Sequence, residues 1–352
     1  MAGELVGWNR GLGYSPGPHS PRFREFRRLF QHSIGPRKAQ ETALLSMQER
    51  STTKLLGRLL QSPDDFMTHV RQSPGELILR LAYGYKVATE QKEDPLVKIA
   101  EEAMQGFSRA SEPGAFLVDT IPQLKYLPEW FPGAGFKTTA RRMRKDLERL
   151  YNVPYEFVKD QMVRRTIRLF HDPFIERGHQ SLGKADDSFV SSYLLEKGTP
   201  SPGEEELIKA AAASLYSGLA HRLTQGDVYR GYYFPKGTIV WANIWSMLHD
   251  EKVYPEPSQF RPERYLDSRG ALRTLDRMED PAVIGFGFGR RICPGMFLAL
   301  NSVFIAVAMI LYVFDISKTQ DENGQEIVPE VEYDGFISLV QTYQRLGWAA
   351  LK

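Results

Sequence analysis

The stretch Phe286-Gly287-Phe288-Gly289-Arg290-Arg291-Ile292-Cys293-Pro294-Gly295 contains the single cysteine of the 352-residue chain. It runs directly into residues 296–314, which carry no charge. A thiol at the start of a helix is biased toward thiolate by the helix dipole. The glycines let backbone N–H groups approach the sulfur and let a flat cofactor lie close to the main chain. A lone cysteine with none of these neighbours is ordinarily a small buried hydrophobe. As a hydrolytic nucleophile it would need a base beside it, with His249 or His221 as candidates. No spacing in the chain supports that pairing, and the arginine and glycine pattern favours a bound cofactor.

Phe286, Gly289, Arg291, Cys293 and Gly295 match every defined position of Phe-x-x-Gly-x-Arg-x-Cys-x-Gly, so the chain resembles the cytochrome P450 family. Phe260-Arg261-Pro262-Glu263-Arg264 is similar to that family's meander motif, with Asn243, His249-Asp250, Pro255 and Pro257 before it. The segment from Arg222 to Gly237 resembles the strand pair that precedes the meander. Phe23-Arg24-Glu25-Phe26-Arg27 resembles the C-helix Trp-x-x-x-Arg motif with Phe in place of Trp. The resemblance implies a haem b whose iron takes Cys293 as axial ligand, with Phe286 packed near the ligand loop. Arg291, Arg27, Arg222 and His221 are then the expected contacts of the haem propionates, since buried anions need charged partners. A thiolate ligand pushes electron density onto the iron and favours O–O cleavage. The resemblance further implies electrons from NADPH through a flavoprotein reductase, a lipophilic small-molecule substrate and an endoplasmic-reticulum location. The aromatic loop around Leu124 to Lys137 points to the fungal branch, and with it to secondary metabolism.

The bulk composition is that of an ordinary globular protein, 42% hydrophobic and 25% charged. A net charge of +2 argues against a nucleic-acid partner. The basic cluster at Arg141, Arg142, Arg144 and Lys145 reads as a solvated helix face, whereas for Arg22, Arg24, Arg27 and Arg28 that reading stands beside the one in which Arg27 contacts a propionate. One cysteine excludes an intramolecular disulfide framework and any multi-cysteine zinc site. The N-terminal residues have no apolar run of the signal-peptide or anchor type, so membrane association would lack an anchor and a cytoplasmic location is the expectation. Residues 296–314 are long enough to cross a bilayer core of ~30 Å. The resemblance instead places them as a helix buried behind the haem.

These motifs must be positioned by a fold read as mainly α with a small β portion, a single cytochrome P450-like domain over 1–352. Residues 1–218 form its helical region, and 219–352 hold the strand pair, meander, haem loop, long apolar helix and C-terminal strands. Apolar residues at helical spacing predict helices over 21–35, 43–61, 64–84, 96–108 and 137–170, with Pro154 a candidate break. Residues 121–136 are a proline- and aromatic-rich loop, readable as a packed connector or as a flap facing substrate or membrane. Ser201-Pro202-Gly203-Glu204 opens another helix. Strands flank Pro235-Lys236-Gly237, taken as their turn. Residues 243–260 return to helix and a proline-rich meander, 280–294 are loop, and the tail over 327–351 returns as strand.

Relative to the family the chain is expected to be incomplete. It begins almost at the C helix. After Gly218 the next residues are Leu219, Ala220, His221 and Arg222, with no acid–Thr pair of the oxygen-activating type. The Glu-x-x-Arg spacing occurs only at Glu25 to Arg28, so the K-helix pair is absent and Arg264 is expected to lack its partners. Four residues from Gly218 to Arg222 reach at most ~14 Å. No catalytic residue is therefore assigned. Two readings follow: a haem-thiolate monooxygenase, or a non-catalytic remnant that holds haem weakly or not at all. The missing pieces tilt the chain's own activity toward the second.

Overall fold

The computed structural model describes the chain apart from residues 16, 18, 88–93, 113, 172–187, 216–220, 241, 318–319, 322, 327–331, 335–339 and 343–352. Of residues 165–171, 221–222, 332–334 and 340–342 it describes the backbone alone. The join at Gly218–Ala220 thus lies outside the described residues, as does most of the tail.

Helices dominate. α1 (Pro21–Ile34) starts where Ser20 accepts from the Phe23 amide at 3.2 Å and Pro21 fills the first turn. Its apolar stripe Phe23, Phe26, Leu29, Phe30 and Ile34 is buried throughout. A short α2 (Pro36–Ala39) leads into α3 (Thr42–Gln61), and α4 (Phe66–Tyr83) returns along α3. α5 (Pro95–Ser111) is capped by Asp94, which accepts from the amides of Leu96 and Val97. It packs along α6 (Gly135–His171). α6 runs unbroken through Pro154, with Leu147, Leu150, Tyr151, Tyr155 and Val158 buried on either side of it. That tertiary packing offsets the local cost of a helical proline, so the candidate break is not a break.

α7 (Phe189–Lys197) and α8 (Pro202–Ser214) both open on capping boxes, Ser188 with Ser191 and Ser201 with Glu204. In α8, Ala210, Ala211, Ala212 and Ala213 are fully buried against α1, α6 and α7. The smallest side chains allow the helices to approach closely there. One contiguous core runs from the N-terminal segment through these helices.

Among the described residues the β portion is three separate antiparallel pairs rather than one sheet. β1 (His221–Arg222) pairs with β4 (Ile239–Val240), β2 (Asp227–Tyr229) with β3 (Tyr232–Phe234), and β5 (Glu332–Asp334) with β6 (Val340–Thr342). The hairpin turn between β2 and β3 is Arg230-Gly231, both at positive φ (50° and 84°). This two-residue geometry matches strand twist. Pro235-Lys236-Gly237 is a turn with strands on either side, as expected, closed by the Thr238 amide donating to the Pro235 carbonyl at 3.2 Å; the strands it joins, β3 and β4, belong to different pairs.

α9 (Ile244–Leu248) is shorter than the sequence pattern suggested, and α10 (Pro281–Gly285) forms inside the expected loop, started by Asp280 accepting from the Ala282 amide at 2.9 Å. α11 (Met296–Val313) matches its expected span. Its environment does not. The expectation of a helix buried on all sides is not met: among the described residues the elements that pack most along it are α2 and α3, and Leu298 is its only buried residue.

Candidate functional site

Cys293 sits three residues before the first residue of α11, on a loop closed by its own amide donating to the Phe286 carbonyl at 2.9 Å. That bond spans the motif from its first residue to its cysteine. Between them the chain turns through Gly287 and Gly289, at φ of 80° and 61°, a region only glycine adopts without strain. A Cβ added at either would meet nothing within 4 Å, so open space lies beside the loop. Gly295 is different. A Cβ there would touch Ile34 Cδ1 at 3.6 Å and Cys293 Sγ at 3.9 Å, which puts the α1 terminus and the sulfur on either side of one glycine.

The thiol is half-buried. Burial pushes its pKa up, while the Gly295 N–H and the positive charge of Arg27 pull it down. The same two groups favour any state in which the sulfur carries charge.

Two arginines fix this loop to the body. Arg27 Nη1 donates to the Ile292 carbonyl at 2.9 Å, one residue before the cysteine. Arg291 donates from Nη1 to the Gly13 carbonyl at 3.0 Å and from Nη2 to the Ser15 carbonyl at 2.6 Å. Its guanidinium lies 5.1 Å from the centroid of the Phe23 ring, and burial pulls its pKa down. Phe23 and Arg27, one helical turn apart on α1, thus both meet the cysteine loop. Arg290 adds a contact to His19 at 3.1 Å.

The structure brings Cys293, Phe286, Gly289, Arg291, Gly295 and Arg27 together. His221 and Arg222 are described in backbone only, as strand β1 paired with β4, so their expected propionate contacts lie outside the described residues. Arg264 corrects an expectation. It is half-buried and well partnered, donating to the carbonyls of Pro255, Glu256, Gln259 and Arg261 at 2.6–3.1 Å. The meander curls around its guanidinium and supplies acceptors locally, so no buried unpaired cation results.

The sequence reading missed Gly13, Ser15, Ile34 and His19. Three of these contribute a backbone carbonyl or a methyl contact that no residue type signals.

For a haem the residues present fit: a thiol at a helix start, open space over two glycines, and guanidinium groups around the loop. Arg27 spends one of its N–H groups on Ile292 and retains donor capacity for a carboxylate, whereas Arg291 is spread over two carbonyls.

Comparison with known proteins agrees. Residues 212–344 match the family described as Cytochrome P450. The chain is 37% identical over 401 aligned residues to cytochrome P450 monooxygenase 208 of Postia placenta, covering 95% of this chain and 72% of that protein. It is 34% identical to cytochrome P450 monooxygenase claR of Ampulloclitocybe clavipes, over 98% of this chain and 72% of the relative. It is 33% identical to tryptamine 4-monooxygenase of Psilocybe cyanescens, over 98% of this chain and 77% of the relative. Each alignment is longer than the 352 residues the chain contains, so the relatives carry stretches that face gaps here. All three relatives are fungal monooxygenases, and none favours the non-catalytic alternative. The chain belongs to the cytochrome P450 family, the haem-thiolate monooxygenases.

Proposed function

We propose that Cys293 is the axial ligand of the haem iron, and that this chain uses it to insert one oxygen atom of O2 into a lipophilic small molecule. The observation that carries the assignment is the closed loop from Phe286 to Cys293, pinned by Arg27 through Ile292. It holds the sulfur at one position beside open space. When bound, the haem supplies the dioxygen chemistry, its iron made electron-rich by the thiolate. The protein's part is positional. The Gly295 N–H and Arg27 favour the anionic sulfur. Phe23 and Arg291 stack to hold the loop against α1. Arg27, Arg291, Arg222 and His221 are the proposed propionate contacts, with Phe286 and Gly289 shaping the near face.

Electrons are assigned to NADPH through a flavoprotein reductase. The exposed loop side chains Tyr126 and Trp130 suit a membrane-facing flap and an endoplasmic-reticulum surface, since amphipathic aromatic rings favour that interface. The gap relative to the family is placed between Gly218 and Leu219.

The test is the difference spectrum of dithionite-reduced protein with CO, after expression with haem supply. A red-shifted Soret band, lost in Cys293→Ala, is expected. Protein that retains no haem, or a band of neutral ligation unchanged by Cys293→Ala, overturns the assignment.

A further inference from the structure

A narrow cleft between α3 and α4 gathers cations that the haem site does not use. Ser51, Lys54 and Arg58 follow one another along α3 at steps of three and four residues, beside the stripe Thr52, Leu55 and Leu59 that is buried. On α4, Glu76 and Arg80 stand one turn apart on the same face. The chain then reverses. Gly84, at φ 68°, donates to the Arg80 carbonyl at 2.8 Å, and Tyr85 donates to the Leu79 carbonyl at 3.4 Å. That turn takes up the last carbonyls of α4 and brings Lys86 and Val87 back to the cleft. All of the lining belongs to α3, α4 and this turn, and no residue flanking the join at 216–220 takes part.

The charges around the cleft do not balance. Glu76 is the one carboxylate in its lining among the described residues, and Arg58 already pairs with it, their side chains only 10% and 14% exposed. Lys54 spends one N–H on the Val87 carbonyl at 3.4 Å and keeps two. Arg80 is half-buried, and its Nε, out of contact with water, meets no acceptor among the described residues. A guanidinium withdrawn from water without a counter-charge is costly.

We propose that this cleft binds a tetrahedral oxyanion, inorganic phosphate or a phosphate monoester, on Arg80, with Lys54, Lys86 and the Ser51 hydroxyl around it. An arginine offers phosphate a planar fork of N–H donors, and lysines add point charges. A carboxylate fills one such fork in a plane, whereas a tetrahedral group accepts from α3, α4 and the turn together. Three cations beside a carboxylate that has its own partner supply the charge for a dianion. Bound there, the anion ties α3 to α4 away from Cys293, and the site does not depend on haem.

The experiment is calorimetric titration of the full chain with inorganic phosphate at constant ionic strength. Low-millimolar phosphate keeps screening and its general effect on burial out of the signal. Saturable binding is expected for wild type, with chloride inert. The Kd is expected to weaken at least about tenfold in Arg80→Gln and in Lys54→Gln, and the lysine variant serves if the arginine variant does not fold. Arg80→Lys should recover only part of the loss, because an ammonium lacks the fork. Co-sedimentation with phosphatidylcholine vesicles, with and without phosphatidic acid, separates the sources. Binding of free phosphate assigns the cleft to a soluble ligand. Binding of the phosphatidic-acid vesicles alone, lost in the same variants, assigns it to a lipid headgroup. Binding of neither, or binding indifferent to both substitutions, overturns the proposal. So does phosphate binding that emerges only when Glu90 and Glu93, which follow the turn in sequence, are both changed to Gln, since Arg80 would then belong to the chain's own carboxylates.

Discussion

A thiol partly withdrawn from water ionises reluctantly, and Cys293 is placed so that one cation and one amide work against that reluctance. Its folded pKa is raised, so this group contributes stability below the ordinary thiol value of ~8.5 and loses it as pH rises through the folded value. Alkylation by iodoacetamide needs the thiolate. In haem-free folded protein, the rate of Cys293 modification is therefore expected to rise at higher pH than in urea. Arg27→Gln should displace that curve further upward and slow the reaction at neutral pH. A curve unmoved by Arg27→Gln would show that the cation does not act on the sulfur. Arg291 belongs to the same scale. Its two bonds to Gly13 and Ser15 tie the cysteine loop to the N-terminal segment. Arg291→Ala is expected to lower stability by about 2 kcal/mol in urea titration. Arg291→Lys should rescue little, because an ammonium cannot reproduce a planar fork over two carbonyls. That Cys293 and Arg291 matter was legible in the motif; that Arg291 holds backbone carbonyls was not, because every residue has a carbonyl.

Helix starts are where sequence and fold agree most closely. Ser20-Pro21, Asp94-Pro95 and Ser201-Pro202 each place a side-chain acceptor before a proline, and each opens a helix. Asp94 does more than cap α5. Its Oδ1 takes the Leu96 amide while its Oδ2 accepts the Tyr85 hydroxyl at 2.8 Å. Burial first, then this bond and the carboxylate charge, push Tyr85 up to about 12. The folded value lies above the ordinary tyrosine value of ~10, so the contribution is intact below pH ~10 and is lost as pH rises through about 12. Tyr85→Phe is expected to cost about 1 kcal/mol at neutral pH and to flatten the alkaline end of the stability profile. Asp94→Ala should cost roughly twice that, since the cap goes with it. Equal losses at every pH in wild type and Tyr85→Phe would refute the coupling. The cap is a local, readable signal; the tyrosine nine residues upstream is brought to it only by the turn after α4.

At the scale of the molecule, burial is uneven. Helices α1 and α4 to α8 share one contiguous core, whereas between Leu223 and Ile292 only Tyr254 and Ile284 are buried among the described residues. Arg264 and the Arg273–Glu279 pair organise that stretch through surface bonds, which water competes for. Hydrogen exchange is expected to run orders of magnitude faster for amides of β2, β3 and the meander than for Ala210–Ala213 of α8. Comparable protection in both would contradict a weak second region. By itself the sequence determined the family, through five motif positions around one cysteine, and the helical class, through apolar periodicity and caps. These are local patterns, and local chemistry is written residue by residue. The tertiary structure alone decided that the motif arginines spend donors on the carbonyls of Gly13, Ser15 and Ile292, that Arg264 finds its acceptors within the meander, and that among the described residues α11 is covered on one flank only. An apolar helix reads the same whether it is surrounded or bare. Which of its faces meets a neighbour depends on the elements the rest of the chain brings to it.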